Sequence, residues 1–316
     1  MNLGEMQSLR DAFGEALVNI SKEYESIIVV DSDDALATRT GKFAQAFPQR
    51  FINVGVAEQN MIGVAAGLAL ADKIPFVSTH AIFLCGRAYE QIRTAVCYGD
   101  LNVKLIGSHG GITVGHDGPT HFAIEDLALM TAIPGMAVIV PVDGIEMTKA
   151  INAVVQYRGP VYVRSGRSSV PILTKQSTGF EIGRGYRLCS GNDVAIISCG
   201  VMVSKSMEAR RNLHNQGIKA TVANFHTLKP IDTDLLHFLA AECGAFVVAE
   251  EHSIYGGLGS IVATEIANDL SIPMEFVAIK DTFCESGDAD ALLEKYHLGV
   301  QDIVSAALHA IKRKTR

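Results

Sequence analysis

The stretch FINVGVAEQNMIGVAAGLALADKIPFVST, residues 51–79, decides the fold class of this chain. Two short runs in it, FINV and FVST, have the β-branched and aromatic composition of strands, and small or apolar residues fill the segment between them. Apolar strands separated by a helix indicate a parallel sheet that is covered on both faces. Glu58 stands where the first strand passes into the helix, in otherwise apolar surroundings. It is either a favourable charge at a helix N-terminus or a member of a site.

The same alternation continues on both sides of this stretch. Further strands are predicted at IIVVD, VKLIGS, AVIV and VYVR, and helical patterns fall at residues 9–23, 57–71, 87–97 and 144–157. After Arg167 the pattern breaks into a polar segment, SSVPILTKQSTGFEIGRGYR, which we interpret as an interdomain connection with a short hairpin. A second, smaller alternation begins at DVAIISCG. We therefore predict two α/β domains, each a mostly parallel sheet with helices on both faces, at residues 1–170 and 188–316, with a linker at 171–187.

Composition and charge narrow the classes of function. Hydrophobic residues make up 48% of the 316 residues, which predicts a large core or apolar surface covered by partners. No run approaches the ~20 apolar residues of a membrane helix, and no signal sequence is recognisable, so we expect a cytoplasmic protein. A net charge of −7 without a basic stripe argues against nucleic acid as the main ligand. The six cysteines form no CxxC pair, which predicts reduced, buried thiols.

The segment SHGGITVGHDGPTHFAIEDLALM, residues 108–130, is the richest in potential chemistry. It follows a predicted strand, is dense in glycine, and carries His109, His116, Asp117 and His121 before helical periodicity resumes. Glycines allow close backbone approach to a ligand, and open α/β sheets bind ligands at the carboxyl ends of strands. The spacing of His116 and His121 is not a common one for zinc ligands, so a polar ligand site is favoured over a metal site.

Other candidates are ambiguous when taken singly. Phe83 near a predicted helix start is typical of a core position, and Arg164 and Arg167 after VYV could either bind an anion or be solvated. YGGLGS, residues 255–260, precedes a helix but lacks the GxGxxG spacing, so we assign it a role in turning and packing.

Several segments together resemble a known family. VGVAEQNMIGVAAGLAL, PFVSTHAIFLCGRAYEQIR, HGGITVGHDGPTH and GPVYVRSGR resemble the pyrimidine-binding domain of transketolase, and VAEEHSIYGGLGS resembles the transketolase C-terminal domain. The resemblance covers almost the whole chain in order and implies the thiamin-diphosphate-binding fold. Transketolases also carry a diphosphate-binding domain with a GDG…N magnesium motif, and this sequence shows no such segment. The chain thus resembles the C-terminal half of a split transketolase.

The resemblance implies how the chain contacts thiamine diphosphate. Glu58 matches the glutamate that hydrogen-bonds a ring nitrogen of the aminopyrimidine and shares a proton with it. A carboxyl group in this role must hold a proton near neutral pH, and burial among apolar residues favours the neutral form. Phe83 would lie against the pyrimidine. His80 stands where the family usually has a phenylalanine near the cofactor ring, so we assign it to the cofactor site as a departure.

The resemblance also implies a sugar-phosphate site. Asp117 and His121 match positions that hold substrate hydroxyls, and Arg10, His109 and Arg167 suit the phosphate end. Two further departures concern neighbours of these residues. Ala37 falls where many transketolases have a phosphate-binding serine, with Thr38 next to it, and His116 replaces a common glutamate.

The expected function is therefore two-carbon ketol transfer from a ketose to an aldose, both phosphorylated, by an enzyme of the transferase class. The resemblance implies a diphosphate-binding partner subunit that holds Mg²⁺, and an α2β2 assembly. A β subunit of a 2-oxo acid dehydrogenase has the same domain order, although it needs no sugar-phosphate residues. The segment GRAYEQ, which contains Arg87, resembles the corresponding segment of deoxyxylulose-phosphate synthases. Half of such a synthase is therefore a third possible identity for the chain. A non-catalytic regulatory paralogue is the alternative of another class, and an intact Glu58 argues against it.

Overall fold

The computed structural model describes residues 5–267 and 270–314. Its strands are β1 Met6–Ser8, β2 Ile27–Asp31, β3 Phe51–Asn53, β4 Ile74–His80, β5 Lys104–Ser108, β6 Ala137–Ile139, β7 Val161–Arg164, β8 Ser169–Pro171, β9 Tyr186–Cys189, β10 Val194–Ser198, β11 Ala220–Asn224, β12 Thr227–Lys229, β13 Phe246–Ser253 and β14 Met274–Ile279. Its α-helices are α1 Leu9–Ile20, α2 Ala35–Thr38, α3 Gly41–Ala46, α4 Glu58–Leu70, α5 Ala81–Arg87, α6 Tyr89–Gln91, α7 Asp126–Ala132, α8 Gly144–Gln156, α9 Met202–Asn215, α10 Thr233–Cys243, α11 Leu258–Ala267, α12 Ala289–Lys295 and α13 Val300–Lys314. Short 3₁₀ turns lie at Pro48–Arg50 and Gly115–Asp117, and a π-helical turn at Ile92–Cys97.

The first sheet has seven strands in the order β12-β6-β7-β5-β4-β2-β3. All neighbours in it are parallel except β12, which pairs antiparallel with β6. Its central strands are buried over most of their length, as is expected of continuous apolar runs in a parallel sheet. The predicted mostly parallel α/β architecture is confirmed.

Strand register in this sheet determines which loops meet. Asp31 at the end of β2 pairs with Ser78 of β4, and His80 at the end of β4 pairs with Ser108 of β5. The loops that follow β2, β4 and β5 therefore leave from one edge, the carboxyl edge of the sheet. A ligand site is expected at such an edge in open α/β sheets.

The second sheet has five strands in the order β14-β13-β10-β11-β9. It is parallel except for β9, which pairs antiparallel with β11. After β11 the chain returns to the first sheet as β12, so the two sheets are joined by shared hydrogen bonding as well as by packing. Both modules thus have the predicted mostly parallel sheet.

Helices cover both faces of each sheet. One core lies between the first sheet and α1 and α8. A second core lies under α4, α5 and α7 and continues without interruption to α10 and α11 on the second sheet. A third core lies between the second sheet and α9 and α13. The large hydrophobic fraction of the sequence is therefore explained in part by a core that extends across both modules.

The connecting segment differs from the prediction. Its first strand, β8, pairs antiparallel with β1 at the N-terminus, from Met6 opposite Pro171 to Ser8 opposite Ser169. The predicted hairpin within the segment is therefore wrong, because its strand finds a partner at the start of the chain rather than in itself. The second module's own sheet begins at Tyr186.

The cysteines and the helix lengths also bear on the predictions made from composition. All six cysteines are free, and five of them are buried, as predicted, whereas Cys189 is only partly buried. Within residues 5–267 and 270–314, no helix is both long enough and apolar enough to cross a membrane.

Candidate functional site

Glu58 is the first residue of α4, and its side chain is buried although the helix begins at the carboxyl edge of the sheet. Nη1 of Arg87 donates to both carboxylate oxygens, at 3.0 Å from Oε1 and 3.1 Å from Oε2. The Arg87 side chain is half exposed, so its guanidinium lies between the buried carboxylate and solvent. Glu58 thus lies at the base of a pocket rather than on a solvated helix end.

Arg87 also contacts Phe83. Both residues belong to α5, and the guanidinium carbon of Arg87 lies 4.1 Å from the ring centroid of Phe83, a cation–π arrangement. The backbone carbonyl of Arg87 accepts a hydrogen bond from Nε2 of Gln59 at 3.0 Å. One arginine therefore joins the aromatic ring and the carboxylate that the sequence assigns to the cofactor.

His80 ends β4 and precedes α5, so its imidazole stands at the same edge. Its Nδ1 makes a short hydrogen bond to Oδ2 of Asp34, which precedes α2 in the loop after the neighbouring strand β2. Both side chains are largely buried, with exposed fractions of 13% for His80 and 22% for Asp34. A carboxylate therefore fixes the orientation of the imidazole.

His109 is buried directly after β5, in the left-handed backbone region with φ of 59°. Nδ1 lies 2.7 Å from Oγ of Ser108, and Nε2 lies 3.4 Å from Nη1 of Arg10. Because Arg10 can only donate, Nε2 is the acceptor and Nδ1 carries the proton. Burial, assisted by the imidazole of His80 and the charge of Arg10, lowers the pKa of His109 to about 2. His109 is therefore neutral.

Aromatic rings form a cluster at this edge. The rings of His80 and His109 are stacked, with centroids 4.0 Å apart and planes inclined by 28°. His121 meets Phe83 edge-on at 5.3 Å and His80 at 5.7 Å. The predicted cofactor residues Phe83 and His80 and the predicted substrate residues His109 and His121 thus lie side by side.

Two arginines flank this cluster. Nη1 of Arg10 donates to the carbonyl of Ala37 at 2.8 Å, and Nη2 donates to the carbonyl of Arg167 at 3.3 Å. Arg167 donates to the carbonyl of Val114 and lies 3.6 Å from a carboxylate oxygen of Asp117. Burial and the neighbouring charges of Arg39 and Arg167 lower the pKa of Arg10. The five predicted substrate residues are therefore close together around a cationic centre.

The departures at positions 37 and 116 have simple surroundings. Ala37 presents its carbonyl to Arg10, while the hydroxyl of Thr38 is buried and bonds the Asp34 carbonyl at 3.0 Å. Thr38 is thus occupied within the loop and does not stand in for the serine of the family. His116 is exposed in the 3₁₀ turn Gly115–Asp117.

Arg164 is not an anion clamp at the open edge. It is 5% exposed, and its Nε lies 3.1 Å from the carboxylate of Asp126. Its Nη2 donates to the carbonyls of Ala123 and Glu251, at 2.8 and 3.0 Å. Because Glu251 belongs to β13, this arginine joins the two modules. Both readings of Arg164 from the sequence, anion binding and solvation, are wrong.

The YGGLGS segment turns and packs, as predicted. The amides of Leu258 and Gly259 at the start of α11 donate to the carboxylate of Glu250, at 2.7 and 2.8 Å. A Cβ on Gly256, which has φ of 80°, would lie 2.6 Å from Cβ of Ala128. The helix start is therefore satisfied by the protein itself.

Sequence reasoning missed one member of the site and underestimated another. Asp34, the partner of His80, is not among the residues that the sequence identifies, although an acid in the loop after the strand next to β4 is a usable signal. Arg87 was noted only for a family likeness, yet it contacts both Glu58 and Phe83. Among the described residues, no group of three or more His, Cys, Asp or Glu is arranged to hold a metal ion.

Most of the chain is similar to known proteins. Residues 5–172 match the family model described as the transketolase pyrimidine binding domain, and residues 183–303 match the transketolase C-terminal domain. A solved structure described as a split gene transketolase, inactive β4 tetramer, superimposes with a TM-score of 0.90 at 44% identity, covering 98% of this chain and all of the other.

Relatives of similar length point to the same family. A protein of Methanocaldococcus jannaschii, provisionally named a transketolase C-terminal section, is 42% identical over 98% of both chains. A 6-deoxy-6-sulfo-D-fructose transketolase subunit of Clostridium sp. (strain MSTE9) is 39% identical, over 97% of this chain and 95% of the relative. With both domains matched in order, this chain belongs to the transketolase family.

Proposed function

We propose that this chain is the C-terminal subunit of a thiamine-diphosphate-dependent transketolase, which transfers a two-carbon ketol unit from a ketose to an aldose. Its two domains correspond to the pyrimidine-binding and C-terminal domains of the family. The expected partner is a separate subunit that binds the diphosphate and Mg²⁺, in an α2β2 assembly.

The observation that carries the proposal is the placement of Glu58. Its carboxylate is buried at the carboxyl edge, in a pocket that Val56, Gln59 and Arg87 help to line, and the guanidinium of Arg87 also lies over the ring of Phe83. An aminopyrimidine offers a flat ring for an aromatic face and a ring nitrogen for a carboxyl group. The residues present therefore fit the pyrimidine end of the cofactor.

The side chains present indicate which roles this chain would take and which the cofactor and the partner subunit would take. When bound, thiamine diphosphate supplies the nucleophilic carbon that accepts the two-carbon unit. Glu58 would hold the proton shared with the pyrimidine nitrogen, and Phe83 would fix the plane of the ring. Divalent metal on a diphosphate requires oxygen ligands, and no group of three or more His, Cys, Asp or Glu among the described residues is arranged to hold it, so we assign the metal to the partner.

The substrate end is proposed to lie among the flanking arginines. Arg10 and Arg167 are linked by a hydrogen bond and present guanidinium groups suited to a phosphate. His109, neutral and buried, would orient Arg10 through its Nε2. Asp117 and His121, on the loop after β5, would form hydrogen bonds with sugar hydroxyls.

Two features support the need for a partner. Leu36, in the short helix α2, and Val56, in the loop before α4, are 85% and 72% exposed although both are large and apolar. Such residues at a site edge suit coverage by another subunit. In addition, the similar solved structure is described as an inactive assembly of β subunits alone.

The test is reconstitution. The chain is combined with a diphosphate-binding transketolase subunit, thiamine diphosphate and Mg²⁺, and two-carbon transfer is measured with a panel of phosphorylated ketoses and aldoses. Transfer only in the combined sample is the expected result. Consumption of pyruvate or another 2-oxo acid instead, without ketol transfer, would favour the decarboxylating relatives and overturn the proposal.

A further inference from the structure

We infer that Asp34 and His80 form a proton-transfer dyad that acts on a substrate hydroxyl. His80 is the catalytic residue of the pair, and Asp34 is its positioning residue. The identity of the substrate rests on the proposed function, whereas the dyad rests on the geometry of this chain. The inference replaces a passive role for His80 beside the cofactor ring.

The pair is built into the sheet. Asp34 and His80 follow adjacent parallel strands, β2 and β4, so their loops leave from the same edge. The loop of Asp34 is held on both sides: its amide donates to Asp31 at 2.7 Å, and its carbonyl accepts from the amide of Thr38 at 3.0 Å. The carboxylate is therefore presented to the imidazole by a fixed backbone.

The hydrogen bond to Asp34 assigns the two ring nitrogens. A carboxylate can only accept, so Nδ1 of His80 carries a proton and Nε2 has a free lone pair in the neutral ring. Among the described residues, no hydrogen bond is made by Nε2 of His80. A histidine whose far nitrogen is held by a carboxylate is the arrangement that generates a general base.

The surroundings of the ring suit a change of charge. One face of His80 stacks on His109, whose two nitrogens are occupied by Ser108 and Arg10 and whose pKa is lowered to about 2, chiefly by burial. An imidazolium at His80 would thus face a neutral ring rather than a second cation, with the Asp34 carboxylate at its other nitrogen. Phe83 and His121 complete the enclosure at 5.8 and 5.7 Å.

The proposed step is a reversible proton transfer. The O–H bond of a substrate hydroxyl breaks, its electron pair stays on the oxygen, and the proton forms the Nε2–H bond of His80. The imidazolium formed is stabilised by Asp34, which keeps its negative charge. In the reverse direction, the same proton returns to the oxygen of the new hydroxyl, so no further reactant is needed. The phenylalanine usual at this position could not perform this step.

The first test is kinetic, in the assembled complex. General acid–base groups contribute roughly 10²–10⁴-fold, so we expect His80→Phe to lower kcat by about 100-fold or more. Asp34→Asn, which favours the wrong tautomer, is expected to lower kcat by at least about 10-fold. Thiamine diphosphate affinity, from calorimetry, is expected to change less than about two-fold in both. Asp302→Asn removes a partly buried carboxylate, 29% exposed and 3.3 Å from His297, and is the matched control, with unchanged kcat.

The second test does not depend on activity. Nitrogen-15 NMR of histidine-labelled full-length chain is expected to show, besides the Nδ1–H imidazole of His109, a second imidazole with a proton on Nδ1 whose signal is strongly deshielded; this second signal is absent in His80→Phe and altered in Asp34→Asn. An Nε2–H tautomer, or a signal insensitive to Asp34→Asn, would overturn the dyad. Normal kcat for His80→Phe in an active complex would also overturn it. An inactive wild-type complex would instead count against the proposed function, and the NMR result would still decide the dyad.

Discussion

Arg87 donates from one nitrogen to both carboxylate oxygens of Glu58, at 3.0 and 3.1 Å. Its guanidinium also lies 4.1 Å from the ring centroid of Phe83. The proposed pyrimidine would need the same carboxylate and the same ring. We therefore expect Arg87 to compete with the proposed cofactor for this carboxylate and to move when a pyrimidine binds.

We predict that Arg87→Met strengthens thiamine diphosphate binding to the assembled complex modestly. The arginine side chain is half exposed, so its ion pair is screened and is worth at most about 1 kcal/mol, which corresponds to a gain of about five-fold or less. Calorimetric titration measures the change. Arg93→Met, at an exposed arginine further along the chain, is the control. Weaker binding by Arg87→Met would show instead that Arg87 helps to hold the cofactor.

Glu58→Gln is predicted to preserve folding and partner binding but to remove most turnover. Glutamine keeps the shape and a hydrogen-bonding oxygen, but it cannot exchange the proton that the pyrimidine nitrogen requires. We expect a loss of at least about 100-fold in kcat, measured as ketol transfer by the assembled complex. The exposed Glu25→Gln serves as control. Turnover within a few-fold of wild type would mean that Glu58 is only a helix-end charge.

Arg167→Met is predicted to raise KM for phosphorylated sugars much more than for unphosphorylated analogues. Loss of a hydrogen bond to a charged group costs on the order of 1.5–3 kcal/mol, or roughly 10–150-fold in kcat/KM. Arg158→Met, an exposed arginine just after α8, is the control and should leave both substrates unaffected. Equal effects of Arg167→Met on the two kinds of substrate would remove the phosphate assignment.

The fold was largely predictable, because each strand of the first sheet is a compact apolar run and each helix lies between two of them. The pairing of β8 with β1 was not, since it joins segments about 160 residues apart and no local pattern encodes it. Arg164 shows the same limit. Its environment is decided by Asp126 and by Glu251 from the other module, which the sequence separates widely.

The site itself was predictable only as a set of neighbours. The strand ends of a parallel sheet bring Glu58, His80 and His109 to one edge, and this follows from the fold class. Which nitrogen of His80 is engaged, and by which acid, depends on backbone positions after β2 to within an ångström or so. Likewise, Arg87 reaches Glu58 because the end of α5 contacts the start of α4, and sequence spacing does not specify that contact.

Glu251 gives the chain a pH-dependent stability that can be isolated. Its carboxylate accepts from the hydroxyl and amide of Thr113 in the other module, and burial raises its pKa to about 7. Because its pKa is higher in the folded state, Glu251 binds protons more tightly in the folded chain than in the unfolded chain. Its protonation therefore contributes fully to the free energy of unfolding below about pH 4.5, and this contribution declines as the pH rises to about 7.

We therefore predict that Glu251→Gln gains stability relative to wild type as the pH rises from 4.5 to 7. The difference is expected to grow by up to about 3 kcal/mol across that window, measured by urea unfolding at each pH. His226, whose pKa burial lowers to about 4, acts in the opposite direction, so the comparison of variant with wild type is required. The exposed Glu23→Gln is the control. A constant difference between Glu251→Gln and wild type at all pH values would contradict the prediction.

The last prediction concerns the isolated subunit, and it follows from what the described residues can and cannot bind. Glu58 and Phe83 are the proposed contacts to an aminopyrimidine, but most of the charge of thiamine diphosphate resides on its diphosphate. Within the described residues, no cluster of acidic side chains is arranged to bind the metal that such a group carries. Arg87 further occupies the carboxylate in the absence of a ligand.

The purified chain alone is therefore expected to bind thiamine diphosphate weakly and to catalyse no ketol transfer, with or without Mg²⁺. Addition of the diphosphate-binding subunit should produce both tight, Mg²⁺-dependent binding and activity, because it completes the site and covers the exposed Leu36 and Val56. Calorimetric titration of the cofactor into each sample, with and without EDTA, makes the comparison. Val56→Asp is expected to weaken assembly while leaving the fold of the isolated chain unchanged, since this side chain is 72% exposed. If the isolated chain binds the cofactor tightly and requires Mg²⁺ to do so, the diphosphate site lies within this chain and the division between two subunits is wrong.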